Sequence, residues 1–179
     1  MKLLVISDTH GEIPLDINKI DFDAVIHAGD IGSPAFFRQL DASTGEKNLF
    51  AVYGNTDFML CEYLPEILTP KIGSTKFFIV HNLTAPHRIL PANENAINEN
   101  SSEIVIFGHT HIPAVLERDG RIFINPGSLG KIGLTGYRTF ATVETDESDT
   151  ISAQIFDVDT NKTLTSKKFN KIDGLFREI

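Results

Sequence analysis

Short apolar runs separated by polar turns dominate the chain. "KLLVIS", "DAVIHAG", "NLFAVYG", "TKFFIVHN", "EIVIFG", "RIFINPG", "YRTFATVE" and "TISAQIFDV" are rich in β-branched and aromatic residues and are bounded by turn formers, so each is expected to be a strand. In the first half the intervals predict helices. One spans Ser33 to Leu40, with Ser33 as N-cap and Pro34 at the first helical position, and the other spans Pro91 to Asn100. The second half predicts successive strands joined by tight turns, such as "ERDGR" with Asp119-Gly120. This order implies βαβ units feeding a partly parallel sheet, with an antiparallel portion packed against it. No repeat or Gly/Ser/Pro-rich linker divides the 179 residues, so one domain over 1–179 is expected.

The chemistry stands where the apolar runs end. "LLVIS" leads to Asp8 and His10, "VIHAG" to Asp30, "FAVYG" to Asn55, "FFIV" to His81, and "VIFG" to His109 and His111. Asp, Asn and Gly are ordinary turn residues, which accounts for any one of these ends. Histidine is not a favoured turn residue, yet four of the six histidines fall here, the exceptions being His27 and His87. In open α/β sheets ligands bind outside the carboxyl ends of the strands, so these side chains are expected to share one crevice. His27, inside "AVIHAGD", is expected to be a hydrogen-bonded histidine on the strand bearing Asp30. Asp57 is expected to support a neighbouring site residue or close its turn.

Two carboxylates, four imidazoles and one amide form a mixed N/O donor set without thiolate, which argues against a structural zinc finger or an iron–sulfur cluster. Mn, Fe, Co, Ni and Zn all suit such donors. Seven donors exceed one tetrahedral ion and match two ions sharing a carboxylate. Two ions roughly 3.5–4 Å apart suit in-line displacement at phosphorus. The formal charge of -8 argues against stable nucleic-acid binding, and part of it is explained as the empty state of a cation site. The lone cysteine, Cys61 in "FMLCEYL", is expected to be buried and cannot form an internal disulfide. No apolar run approaches the ~20 residues of a membrane span, and a cytoplasmic setting is expected.

Taken in order, "DTH" (Asp8 to His10), "GD" (Gly29-Asp30), "GNTD" (Gly54 to Asp57), His81, "GHTH" (Gly108 to His111) and "NPGS" (Asn125 to Ser128) resemble the motif blocks of the calcineurin-like metallophosphoesterase superfamily. The likeness is greatest to its small bacterial and archaeal phosphodiesterases. It implies an α/β fold, a four-layer α-β-β-α sandwich of two mixed β-sheets. It also implies two divalent cations per chain, manganese first, with Ni, Fe, Co or Zn as alternatives. Asp8, His10, Asp30 and His111 would hold one ion; Asp30, Asn55, His81 and His109 would hold the other. Asp30, Asn55, His81 and His109 are carried over as the catalytic group, with a hydroxide between the ions attacking a small phosphoester substrate.

Two departures stand out. Thr56 occupies the place where many family phosphatases carry an acid histidine, which favours diesters with activated leaving groups. Asn82 follows His81 where glycine is usual, and a left-handed Asn82 would preserve that turn. His87 and Arg88 are not assigned a role, and Lys131, Tyr137 and Arg138 are expected either to meet a substrate or to be solvated. The alternatives are a protein-interaction scaffold of the same fold, as in a retromer subunit, and a phosphomonoesterase or nucleotidase on the same centre. Retention of Asp30 and Asn55 favours the enzyme. A homo-oligomer is left open, and no membrane partner is expected.

Overall fold

The computed structural model describes residues 1–14, 16, 19–45, 47–85, 88–130, 136–146 and 149–179. The first half of the chain runs β1 (Lys2–Ile6), β2 (Ala24–His27), α1 (Pro34–Thr44), β3 (Asn48–Ala51), β4 (Ile67–Leu68), β5 (Lys71–Ile72), β6 (Thr75–Val80), β7 (Thr84–Ala85), β8 (Arg88–Ile89) and α2 (Pro91–Glu99). Among the described residues only strands follow: β9 (Ile104–Ile106), β10 (Ala114–Arg118), β11 (Arg121–Asn125), β12 (Thr139–Thr145), β13 (Thr150–Asp157), β14 (Thr163–Ile172) and β15 (Leu175–Glu178).

They make two mixed sheets and a separate two-stranded antiparallel pair, β7-β8. The larger has the order β15-β14-β13-β12-β1-β2-β3, and the smaller β10-β11-β9-β6-β4 with β5 beside β6. The strands β1, β2 and β3 are parallel to one another, as are β6, β9 and β11. The other strands of both sheets pair antiparallel.

The unbroken apolar character of the parallel strands follows from burial on both faces. Leu3 and Val5 of β1, Ile26 of β2, Phe77 and Ile79 of β6, and Ile104 and Ile106 of β9 share the core between the sheets. Their neighbours point outward under a helix. Leu4, Ile6 and Val25 pack with Leu40 of α1, whereas Phe78, Val80 and Val105 pack with Ile97 of α2. One helix therefore covers each outer face, and the layers read α-β-β-α. On β13 the burial alternates strictly, because only one face meets the core.

Local chemistry sets the element ends. Ser33 caps α1 by accepting from Phe36 N, with Pro34 at the first position, and the helix continues beyond the expected Leu40 to Thr44. The β10–β11 hairpin turns at Asp119 and Gly120, both with positive φ (53° and 76°), as its Asp-Gly pair demands. One expectation is corrected. Cys61 is exposed, because "FMLCEYL" folds as turns that bury Leu60 alone and leave Phe58, Met59 and Tyr63 outside. No helix among the described residues is long and apolar enough to cross a membrane.

Candidate metal centre

The residues singled out at the strand ends meet at one edge of the two sheets. Beyond β1 and β2 the backbone pairing continues: Asp8 N donates to Gly29 O (3.0 Å), His10 N to Asp30 O (2.9 Å) and Gly11 N to Ile31 O (2.8 Å). Asp8, His10, Asp30, His109 and His111 all have positive φ, from 47° to 68°. Left-handed backbone is uncommon outside glycine, least so for Asp, Asn and His, and it gathers where a site constrains the chain. Glycines admit the close approaches. A Cβ on Gly54 would stand 2.2 Å from Asp30 Oδ1, and one on Gly108 would stand 2.8 Å from Asp8 Oδ2.

Two groups of donors flank Asp30. On one side His111 Nε2 is 3.1 Å from Asp8 Oδ1, the His10 and His111 rings lie 5.5 Å apart, and His10 Nε2 is 3.8 Å from Asp30 Oδ2. On the other, Asn55 Oδ1 is 3.0 Å from His81 Nε2 and 2.8 Å from His109 Nδ1, and His81 Nε2 is 3.5 Å from Asp30 Oδ1. Donor atoms of Asp8, His10 and His111 lie within 4.8 Å of one another, as do those of Asp8, Asp30 and His81. Asp8 is in both groups, and Asp30 joins the second.

The donor chemistry fits cations. His81 Nδ1 lies 2.7 Å from Ala28 O and donates to it, so in the neutral ring Nε2 is a lone pair facing the oxygens of Asn55 and Asp30. Asp8 Oδ1 is buried without a well-aimed hydrogen bond. Two carboxylates at most 3% exposed converge here. Lone pairs facing lone pairs in a buried place are costly unless a cation lies between them. Burial pushes the Asp8 carboxyl up, but its interactions with the His111 imidazole and the Ser7 hydroxyl hold it below the usual carboxylate range.

Residues around these donors hold them in position. Backbone N–H groups of Thr56 and His109 donate to Asp30 Oδ1 (2.9 Å) and Asp8 Oδ2 (3.2 Å). Asp57, 1% exposed, accepts from Gly54 N, Ile31 N and Gly32 N at 2.8–2.9 Å, closing its own turn and tying it to the segment after Asp30. Asn125 Nδ2 donates to Gly108 O and Thr110 Oγ1, and Ser128 Oγ to Asp8 O, so "NPGS" braces two of the turns. His27, fully buried, touches Thr9 and Gly29 and makes no hydrogen bond to the Asp30 side chain.

One expectation changes. Asn82 does not take positive φ, so the turn after His81 is made otherwise, with Asn82 O accepting from Asn93 Nδ2 at 3.0 Å. Arg138 is committed to an ion pair with Asp159. Arg88 lies exposed on β8, while His87 and Lys131 fall outside the described residues. Sequence reasoning missed a cleft beside Asn55 and His81, lined by Tyr53, Glu66 and Asn82. No motif marks it, because its walls come from three separate segments.

A family model described as the calcineurin-like phosphoesterase superfamily domain matches residues 1–148. The chain is 31% identical to Phosphodiesterase MJ0936 of Methanocaldococcus jannaschii over 167 residues, covering 83% of this chain and 96% of that protein. It is 29% identical to Phosphodiesterase YfcE of Escherichia coli over 154 residues, covering 72% of this chain and 79% of that protein. Its fold is similar to that of Vacuolar Protein Sorting 29 from Cryptosporidium parvum (TM-score 0.76, 22% identity), covering 95% of this chain and 98% of the other.

Proposed function

The chain belongs to the calcineurin-like phosphoesterase superfamily, and from that premise we propose that it is a metal-dependent phosphodiesterase. The observation that carries this reading is the division of donors around Asp30, with Asp8, His10 and His111 on one side and Asn55, His81 and His109 on the other. The first three would hold one divalent cation, the second three another, and Asp30 would bridge them. Such cations lower the pKa of bound water and neutralise phosphoryl oxygens.

The protein's own part is to keep the donors in place and to set what happens to the leaving group. The N–H groups of Thr56 and His109 fix the two carboxylates, and Ala28 O fixes the His81 tautomer, leaving Nε2 as the donor atom. Thr56 has no acidity near neutral pH, so the leaving group must depart without a proton from that position. The phosphodiesterase names of the two relatives support a diester as substrate. The likeness to Vacuolar Protein Sorting 29, at 22% identity, concerns the fold alone.

The test is metal analysis combined with turnover. Chelator-treated protein reloaded with Mn should retain two ions per chain and hydrolyse bis(p-nitrophenyl) phosphate. His109→Ala and His111→Ala should each lose one ion and nearly all turnover while keeping the wild-type circular dichroism spectrum. Less than one ion bound and no diester hydrolysis would leave the scaffold reading standing instead.

A further inference from the structure

Beside Asn55 and His81 lies an open cleft of about 210 Å³ whose other walls are Tyr53, Glu66, Val80 and Asn82. Its chemistry is unexpected next to a centre that attracts phosphate. Glu66 places a carboxylate at the rim, and among the described residues it makes no ion pair. The Tyr53 hydroxyl donates to Glu66 Oε2 at 3.4 Å, and Tyr53 N donates to Pro65 O at 3.1 Å, so backbone and side chain both hold ring and carboxylate together.

We propose that this cleft is a subsite for one ester group of the diester, and that it selects a nitrogenous group, positively charged or N–H-donating, through the Tyr53 ring and the Glu66 carboxylate. Aromatic faces attract cations and stack on flat bases, and a carboxylate attracts an ammonium charge and accepts from a base N–H. The same carboxylate repels an ester group carrying a further phosphate. Two sources share this chemistry, an ammonium head group and a nucleobase. The proposal rests on the phosphodiesterase reading and adds the substrate class.

The experiment compares kcat/KM of Mn-loaded wild type, Glu66→Gln and Tyr53→Leu on p-nitrophenyl phosphorylcholine, the p-nitrophenyl ester of thymidine 5′-phosphate, and bis(p-nitrophenyl) phosphate. Glu66 is exposed, so its replacement leaves the fold intact. Relative to bis(p-nitrophenyl) phosphate in the same protein, each variant should lose at least fivefold on a nitrogenous substrate. A loss on the choline ester alone identifies an ammonium group, and a loss on the nucleotide ester alone identifies a base. Ratios within twofold of wild type on both overturn the subsite. If wild type turns over none of the three, the phosphodiesterase reading fails separately. The subsite is then judged by calorimetric titration with choline phosphate and thymidine 5′-phosphate. A fivefold weaker affinity in Glu66→Gln upholds it, and equal or undetectable binding in both proteins overturns it.

Discussion

His27 is a fully buried histidine that the proposed chemistry does not use, and replacing it with glutamine isolates what it does for the fold. Gly29 N donates to His27 Nδ1 (3.2 Å), so Nε2 carries the proton and donates to Thr9 Oγ1 (2.9 Å), whose hydroxyl donates to Ile31 O (3.0 Å). The neutral ring is satisfied at both nitrogens, and a second proton at Nδ1 would face an N–H. Burial accordingly pushes its pKa down to about 3 from 6.5, with Asp8 opposing and His81 and His10 assisting. A folded pKa below the unfolded one means that the unfolded chain takes up the proton first. His27 therefore contributes stability above pH 6.5, and this is lost as pH falls toward 3, at about 1.4 kcal/mol per unit. Between pH 7 and 4.5 the loss from this residue is about 2.5 kcal/mol, and it changes little if the folded value is a unit higher. Urea denaturation of wild type and His27→Gln, both in chelator, measures it. The variant should lose about 2.5 kcal/mol less than wild type over that interval. Equal losses, within 0.5 kcal/mol, would refute the buried neutral histidine.

Three further expectations concern the site. Asp57→Ala leaves three N–H donors without their acceptor and should cost about 3–5 kcal/mol in urea denaturation; a cost under 1 kcal/mol would show that the two turns hold without it. Gly54→Ala places a Cβ 2.2 Å from Asp30 Oδ1, so metal affinity measured by chelator competition should fall at least tenfold, and unchanged affinity would contradict the close approach. With Thr56 beside the site, Mn-loaded protein should hydrolyse aryl diesters faster than alkyl monoesters, and the reverse order would show that a leaving-group acid stands elsewhere.

The parallel core was legible because burial on both faces leaves continuous apolar runs, as in "LLVI" and "FFIV", and the strand-end residues were legible because histidine has no turn-forming reason to be there. The strands β14 and β15 were not. β14, "TLTSKKFNKI", buries only Phe169, and β15, "LFRE", only Phe176, so their polar outward faces hide the strand pattern. Cys61 was misread because an apolar composition does not say which side of a turn faces inward. The turn after His81 escaped because Asn93, eleven residues on, supplies its hydrogen bond. At the site, the sequence gives the donors in order but not their backbone. That five of them need left-handed φ depends on how two sheets bring the turns together.

Those left-handed residues, with two buried carboxylates converging and the His81 Nε2 lone pair facing Asp30 and Asn55, make the site costly without cations. Each non-glycine residue in that conformation costs on the order of 1–3 kcal/mol where the chain does not compensate. The carboxylates Asp8 and Asp30 also repel each other. The N–H groups of Thr56 and His109 offset part of this, but a cation interacts with both carboxylates and the imidazoles at once. Stability should therefore follow metal occupancy. A ligand that binds only the folded state at one hundred times its Kd adds about 2.7 kcal/mol per site. For a chain of this size that raises Tm by roughly 5–10 °C per ion. Thermal unfolding with Mn and with chelator decides the matter, and His109→Ala should keep about half of the increase. A Tm that does not move between the two conditions would show that the donors fold into place on their own, and that the cost of their arrangement is met entirely by the two-sheet core.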